Sequence, residues 1–158
     1  KLTEQGLYRP SFEKDNCGFG LIVQMDDKPS HWLVNTAINA LARLTHRGAV
    51  AADGKSGDGC GLLLKKPDAF LRAIAKEQDI TLADLYASGI VFLSTETSVA
   101  DNARSTLEKE LRTEGLEVAG WRTVPTDNSA CGTQALATLP QIMQIFVNAP
   151  QGMDETTL

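Results

Sequence analysis

The sequence predicts a mixed α and β domain with a hydrophobic core of its own. Short apolar runs of strand length alternate with segments whose apolar residues recur at helical spacing, giving about five strands and three or four helices. Hydrophobic residues make up 42% of the 158 and charged residues 22%, values that argue against a disordered chain. The order of the elements by itself allows either a parallel α/β sheet or a layered α+β fold.

The first half of the chain is predicted to supply a lead-in, a strand, a helix and a loop. Residues 1–16 are polar and are expected to be extended, and the apolar run CGFGLIVQM from Cys17 has the character of a strand. Ser30 is a favourable N-cap for the following helix, SHWLVNTAINALARLTH. Residues 51–61 form a glycine-rich loop, and residues 62–64 are expected to be a short buried strand. The buried stripe of the helix is predicted to comprise Leu33, Ala37, Ala40, Leu41 and Leu44.

The second half is predicted to contain two helices and three strands. Residues 68–78 and 98–114 carry apolar residues at helical spacing, whereas strands are predicted around 90–93, over 117–125 and over 141–150. The inward-facing residues are predicted to be Phe70, Leu71, Ile74 and Ala75 in the first helix and Ala100, Ala103, Leu107 and Leu111 in the second.

Charge and cysteine usage exclude several classes of protein. Lys and Arg number 15 and Asp and Glu 20, so the net charge is 15 − 20 = −5, and the absence of a basic cluster argues against nucleic acid as a partner. No stretch approaches the roughly 18 apolar residues of a membrane span. Cys17, Cys60 and Cys131 are too few and too widely spaced for a disulfide framework or a zinc site. We therefore expect a cytoplasmic protein with reduced thiols.

The glycine-rich loop contains a sequence that resembles the end of a phosphate-binding loop. Gly54-Lys55-Ser56 would need a glycine at position 49, which is Ala49, and the motif should lie between a strand and a helix. Here it follows a helix and precedes a predicted strand, so a tight turn is the better interpretation. Asp58, a single carboxylate, is likewise expected to be a turn residue rather than a metal ligand.

Cys17 is the strongest candidate nucleophile. A thiol needs a base, and neither histidine is placed for that role by the sequence. Cleavage between Asn16 and Cys17 would free an α-amine beside the thiol, and an α-amine titrates at a pKa of roughly 7.7–8.0. One residue would then supply both nucleophile and base.

The same residues carry a resemblance to a known family. NCGFGLIV, the segment PSHWLVNTAINALARLTHRGAVAADGKSGDGCGLLL, and later GWRTVPT and QIMQIFVNAP closely resemble the start of the large subunit of bacterial glutamate synthases. The resemblance covers essentially the whole chain from about Leu7 to Pro150, with the motifs in the same order and at the family's spacing.

The resemblance implies an amino-terminal class II glutamine amidotransferase domain. Its fold would be an α+β, N-terminal-nucleophile hydrolase sandwich of four layers, α/β/β/α, truncated here at its C-terminal side. Residues 1–16 would be the propeptide and residues 17–158 the first part of the glutaminase domain. Cys17 would attack the side-chain amide of glutamine and form a glutamyl-thioester, and Arg47 would support the nucleophile's surroundings.

The resemblance also implies cofactors and partners for the complete enzyme. Ammonia from glutamine would aminate 2-oxoglutarate, with electrons from reduced FMN and a [3Fe–4S] cluster. NADPH would deliver these electrons through a small FAD-containing flavoprotein subunit. This chain is expected to bind none of these cofactors itself. Its partners would be glutamine, the remainder of the large subunit and the small subunit, with neither nucleic acid nor membrane.

The chain lacks some of the family's site residues. No match is found for the arginine that clamps glutamine, the Asp that binds its α-amino group or the Asn-Gly oxyanion hole, and Asn148 is followed by Ala149. We therefore expect the 158-residue piece to be inactive alone and poorly soluble. The alternatives are a non-catalytic module with the same fold, a ferredoxin-dependent synthase, and a redox thiol protein, which the absence of a CxxC motif disfavours.

Overall fold

The computed structural model describes residues 18–44, 50–57 and 59–153. The chain divides into two compact units, Lys1–Leu63 and Leu64–Leu158, which are described separately below. Cys17 and Arg47, the two predicted site residues, lie outside the described ranges, as do Asp58 and the lead-in 1–16.

The first unit contains one described helix, α1 (His31–Ala42). Ser30 has the extended backbone of an N-cap but makes no capping hydrogen bond through its side chain. The helix was expected to bury a stripe, but none of its residues is fully buried; Ala40 is exposed, while Leu33 and Leu41 are half-buried. The helix was therefore predicted correctly, whereas the prediction of a buried stripe was wrong within the described part of the chain.

The two strands expected in the first half are not formed among the described residues. Residues 18–24 and 62–64 lie outside helices and strands, and Leu63 is 98% exposed. A strand is stabilised by hydrogen bonds to a neighbouring strand, and no described segment supplies that neighbour here. Apolar composition predicted strand propensity but could not provide the pairing.

The second unit follows the predicted order closely. Its helices are α2 (Asp68–Glu77), α3 (Thr97–Thr113) and the short α4 (Thr133–Ala137), and its strands are β1 (Tyr86–Leu93), β2 (Glu117–Thr123) and β3 (Gln141–Asn148). The α4 helix was not predicted. Gly115, with φ of 79°, ends α3 by donating its N–H to the Arg112 carbonyl at 3.0 Å.

The three strands form one antiparallel sheet in the order β1-β3-β2. Tyr86 lies opposite Asn148 in one ladder, and Glu117 lies opposite Asn148 in the other. Since β1 and β2 both run antiparallel to the central β3, the sheet is of the layered α+β kind and the parallel α/β alternative is wrong. Among the described residues this is the only sheet, so the second sheet of a four-layer sandwich stays a prediction.

The core of the unit lies where α2 covers one face of the sheet. Leu71 and Ala75 of α2 pack against Tyr86 and Phe146, and Phe146 has no exposed surface. Phe70 was expected to face inward but is 59% exposed, because the apolar stripe of α2 is centred on Leu71 and Ala75.

The α3 helix is linked to Trp121 by polar contacts. The indole Nε1 of Trp121 donates to Glu108 at 2.9 Å, and the Arg104 guanidinium lies 5.1 Å from the ring centroid. Ala100 is buried as predicted, whereas Ala103 is exposed. The contacts of Trp121 thus define the part of α3 that packs on the sheet.

Charged groups surround the buried Tyr86 ring. Lys66 Nζ lies 4.5 Å and the Arg72 guanidinium carbon 4.8 Å from the ring centroid. Burial, followed by the hydrogen bond with Asp68, raises the pKa of Tyr86 to about 12. The same hydrogen bond is the main reason that the pKa of the Asp68 carboxyl lies below its usual value.

In the described ranges, no helix combines the length and apolar character needed to cross a membrane.

Candidate active site

Three described segments lie nearest in sequence to Cys17 and Arg47, which themselves lie outside the described residues. They are the segment that begins at Gly18, the α1 helix, and the glycine-rich turn 50–57. Each is built by local interactions, and each limits the chemistry that these residues can perform.

The segment directly after Cys17 exposes large apolar side chains. Phe19 is 94% and Leu21 83% exposed, and a Cβ added at Gly20 would meet no described atom within 4 Å. No described atom therefore lies close to the backbone at this glycine. The segment ends in a turn, where Asp27 N–H donates to the Gln24 carbonyl at 3.2 Å.

A carboxylate in this turn is held by neutral and charged donors. A hydrogen bond from the Gln24 side chain is the largest cause that lowers the pKa of the Asp26 carboxyl, and bonds from Lys28 lower it further. Asp26 and Lys28 also form an ion pair of 3.4 Å. Asp26 therefore remains ionised near neutral pH and acts in turn formation rather than as a general acid.

The α1 helix ends at Ala42, five positions before Arg47. Arg43 N–H donates to the Ala40 carbonyl at 3.1 Å, and Leu44 N–H donates to the Leu41 carbonyl at 2.9 Å. At the other end of α1, His31 Nδ1 lies 3.2 Å from Asn35 Nδ2. This histidine thus has a hydrogen-bond partner within its own helix.

The Gly54-Lys55-Ser56 sequence forms a tight turn, as predicted. The Asp53 carboxylate accepts the backbone N–H groups of Lys55 at 3.0 Å and Ser56 at 2.8 Å. It also accepts the Ser56 hydroxyl at 2.6 Å, and Gly54 has a positive φ of 70°. A phosphate loop needs free N–H groups to cradle an anion, and here a carboxylate of the chain already occupies these two. The turn is thus a preformed structural element.

The two remaining thiols belong to no metal-binding group among the described residues. Cys60 is exposed, Cys131 is half-buried, and both are free. Over residues 18–44, 50–57 and 59–153, no three His, Cys, Asp or Glu side chains come together as a metal-binding group. The described residues therefore do not fit an iron–sulfur cluster.

Asn148 has a structural role in the segment before β1. Its Oδ1 accepts Ala83 N–H at 2.9 Å, and its Nδ2 donates to the Thr81 carbonyl at 3.1 Å. Both ends of the amide are used to hold the segment before β1.

One polar arrangement was not foreseen. Gln144 Nε2 donates to Ser88 Oγ at 2.7 Å, and Arg122 Nε donates to Gln144 Oε1 at 2.7 Å, so one polar chain crosses all three strands. Gln144 is only 5% exposed. A glutamine inside the apolar run QIMQIFVN is the signal that could have revealed it, because a buried amide needs hydrogen-bond partners.

A model of the family described as "Glutamine amidotransferases class-II" matches residues 17–158, beginning at Cys17. The chain is 37% identical to the glutamate synthase [NADPH] large chain of Bacillus subtilis over 155 residues, which are 96% of this chain and 10% of that protein. It is 39% identical to ferredoxin-dependent glutamate synthase 2 of Synechocystis over 142 residues, 89% of this chain and 9% of that protein. It is 38% identical to glutamate synthase [NADH] of Schizosaccharomyces pombe over 142 residues, 89% of this chain and 7% of that protein.

The chain thus spans about a tenth or less of the length of these curated relatives. The family model, in contrast, matches most of the chain, and the relatives match 89–96% of it. The chain belongs to the class-II glutamine amidotransferases.

Proposed function

We propose that this chain is the glutaminase part of a glutamate synthase, with residues 1–16 as a propeptide and residues 17–158 as the start of the amidotransferase domain. The observation that carries the proposal is the family match beginning at Cys17, together with the three relatives described above, each of which is a glutamate synthase. The four-layer sandwich of this class is part of the proposal.

The proposed reaction transfers the γ-glutamyl group to Cys17. The thiol sulfur attacks the side-chain amide carbon, the C–N bond breaks, and ammonia leaves with the proton of the thiol. Water then attacks the thioester, releasing glutamate and restoring the thiol. The α-amine of Cys17, freed by cleavage after Asn16, would carry the proton between the thiol and the leaving nitrogen.

Arg47 is proposed to support the surroundings of Cys17. It follows α1 and precedes the turn held by Asp53, so both of its neighbouring described elements have defined local structure. Its guanidinium could hold a carboxylate in a bidentate contact.

The use of ammonia is proposed for the larger enzyme. There it would aminate 2-oxoglutarate, with FMN and a [3Fe–4S] cluster bound outside the described residues and NADPH oxidised on a small flavoprotein subunit. The NADPH type stays a prediction, because the relatives at 37–39% identity include NADPH, NADH and ferredoxin forms.

We expect residues 1–158 alone to be inactive. Loss of one oxyanion donor raises a barrier by about 2.7–4 kcal/mol. Asn148 does not match the family's Asn-Gly pair, since Ala149 follows it.

The first test is the intact mass of the natural polypeptide, purified from cells expressing its gene. A chain that begins at Cys17 supports the nucleophile-and-base mechanism. A folded protein that keeps residues before Cys17 has no free α-amine there, and this outcome would favour the non-catalytic module.

The second test is labelling with a diazoketone analogue of glutamine, followed by peptide mapping. The label should be found on Cys17 and should disappear in Cys17→Ser. Cys60→Ser and Cys131→Ser are matched controls that should label normally; loss of the label in either one instead would contradict the assignment of Cys17.

A further inference from the structure

Arg122 differs from the other arginines of the second unit. Each of those forms an ion pair on its own helix: Arg72 with Asp68 at 3.0 Å, Arg104 with Asp101 at 3.9 Å and Arg112 with Glu108 at 2.9 Å. Within the described ranges Arg122 has no carboxylate partner, and its recorded contact is to the neutral amide of Gln144. The positive charge of this half-buried guanidinium is thus not paired with any described carboxylate.

The Arg122 side chain is held in one orientation. Its Nε donates to Gln144 Oε1, and Gln144 is fixed in turn by its bond to Ser88 Oγ, both at 2.7 Å. A glutamate at position 144 would neutralise the guanidinium, whereas a glutamine orients it without doing so. The two terminal nitrogens are left to donate to a carboxylate in a bidentate contact.

The surroundings of this cation are apolar and open to solvent. Gln144 of the central strand is paired with Ile90 of β1 on one side and with Arg122 of β2 on the other. Directly paired residues point to the same side of a sheet, so these three residues share one face. Ile90 is 50% exposed, and Phe92, in the adjacent row of the same face, is 66% exposed. Among the residues directly paired in these two rows, none is acidic.

We propose that this patch, made by Ser88, Ile90, Phe92, Arg122 and Gln144, binds an Asp or Glu carboxylate carried by an apolar protein segment. The segment would belong to the part of the synthase polypeptide outside residues 1–158. One carboxylate would neutralise the single charge, and its apolar neighbours would cover Ile90 and Phe92.

This inference rests on the proposed function, in which the chain is one part of a longer synthase. The matched regions make up only 7–10% of the relatives' lengths, so most of such a polypeptide is available to supply the segment. Covering Ile90 and Phe92 removes apolar surface from water, and the charge selects which segment binds.

The test is zero-length carbodiimide cross-linking of the natural polypeptide with the substitution Arg122→Lys. The reagent joins an amine to a contacting carboxylate as an amide, with loss of water. We expect an amide link between position 122 and an Asp or Glu outside residues 1–158, found by peptide mapping. The matched control is Thr123→Lys, because residue 123 faces the other side of the same strand, and it should give several-fold less of that product.

A second substitution tests the role of charge. Adding Gln144→Glu to Arg122→Lys places a carboxylate of the chain beside position 122, and we expect the long-range link to fall several-fold. Three results would overturn the proposal. The long-range link could be unchanged by Gln144→Glu, or it could be equally abundant in the Thr123→Lys control. It could also be absent from polypeptide that keeps its Trp121 fluorescence.

If Arg122→Lys fails to fold, a photoreactive benzophenone side chain in place of Phe92 probes the same patch with Arg122 intact. Capture of an acidic, apolar segment from outside residues 1–158 supports the proposal, and no such capture overturns it. Diazoketone labelling of Cys17 in the same samples separates the two ideas. Labelling without the link overturns only this inference, and the link without labelling overturns only the glutaminase assignment.

Discussion

Gly120 lies in β2 at a point where a side chain from another segment approaches the backbone. A Cβ added at this position would lie 2.8 Å from Ile80 Cγ1 and 2.9 Å from Ile80 Cδ1. Carbon atoms pack best at about 3.5–4.0 Å, so Ile80 would have to move by roughly an ångström. Glycine is required here by space, since its φ is not positive.

Ile80 cannot move freely to make this room. Its backbone N–H donates to the Ala75 carbonyl at 2.9 Å, and its side chain packs against the core beside Ala119. A β-branched side chain also has few alternative χ1 rotamers. Overpacking of this kind costs about 1–3 kcal/mol, from which the entropic gain of replacing glycine, about 0.5–1 kcal/mol, is subtracted. We expect Gly120→Ala to lower the free energy of unfolding by ~1–2 kcal/mol.

The assay is urea unfolding followed by the fluorescence of Trp121, the neighbouring residue in β2. The chain has two tryptophans, so a Trp32→Phe background makes Trp121 the single reporter. Gly89→Ala is the matched control, because its added Cβ would lie 3.7 Å from Ile145 Cγ2, an ordinary contact. The control should be neutral or slightly stabilising.

Ile80→Ala completes a double-mutant cycle. It removes all three atoms that the new Cβ would approach, so Gly120→Ala should cost little in that background. The steric explanation would be refuted if Gly120→Ala cost the same with and without the Ile80 side chain, or if Gly89→Ala were equally destabilising.

Three further predictions concern other parts of the chain. Burial raises the pKa of Tyr86 from 10.0 to about 12, so its contribution to stability is complete below pH 10 and is lost as pH rises toward 12. Tyr86→Phe should therefore weaken the alkaline fall of the urea midpoint, and an unaltered alkaline fall would contradict this. Asn148→Ala leaves two backbone groups before β1 unpaired and should lower the free energy of unfolding by about 1–3 kcal/mol. An unchanged urea midpoint would show that water replaces the amide. Asp53→Ala removes the acceptor that closes the glycine-rich turn, so the Ala51 N–H should exchange faster with solvent; an unchanged exchange rate would mean that the turn closes without the carboxylate.

The sequence predicted the second unit better than the first. The helical spacing of 68–78 and 98–114 and the strand composition of 141–150 each correspond to an observed element. These segments need only local periodicity to be recognised. The strand predicted from Cys17 onward depends on a partner strand, and apolar composition alone does not specify one.

The candidate nucleophile could be chosen from the sequence because the choice depends on chemistry close to one residue. Cys17 stands where a polar lead-in meets an apolar run, and the family match begins at that residue. Rejection of Gly54-Lys55-Ser56 as a phosphate loop was also possible, because motif spacing is a property of the sequence. The structure added the reason, which is that Asp53 already occupies the two N–H groups.

The sequence by itself determined the order of the longer helices and the strands of the second unit, the candidate thiol and the family, because each is encoded in spacing along one stretch of chain. Only the tertiary structure decided that β3 is central, that Phe70 and Ala103 face solvent, and that Ser88, Gln144 and Arg122 form one polar chain. Strand order and burial depend on contacts between residues far apart in sequence. Such contacts exist only once the chain has folded, so local periodicity cannot specify them.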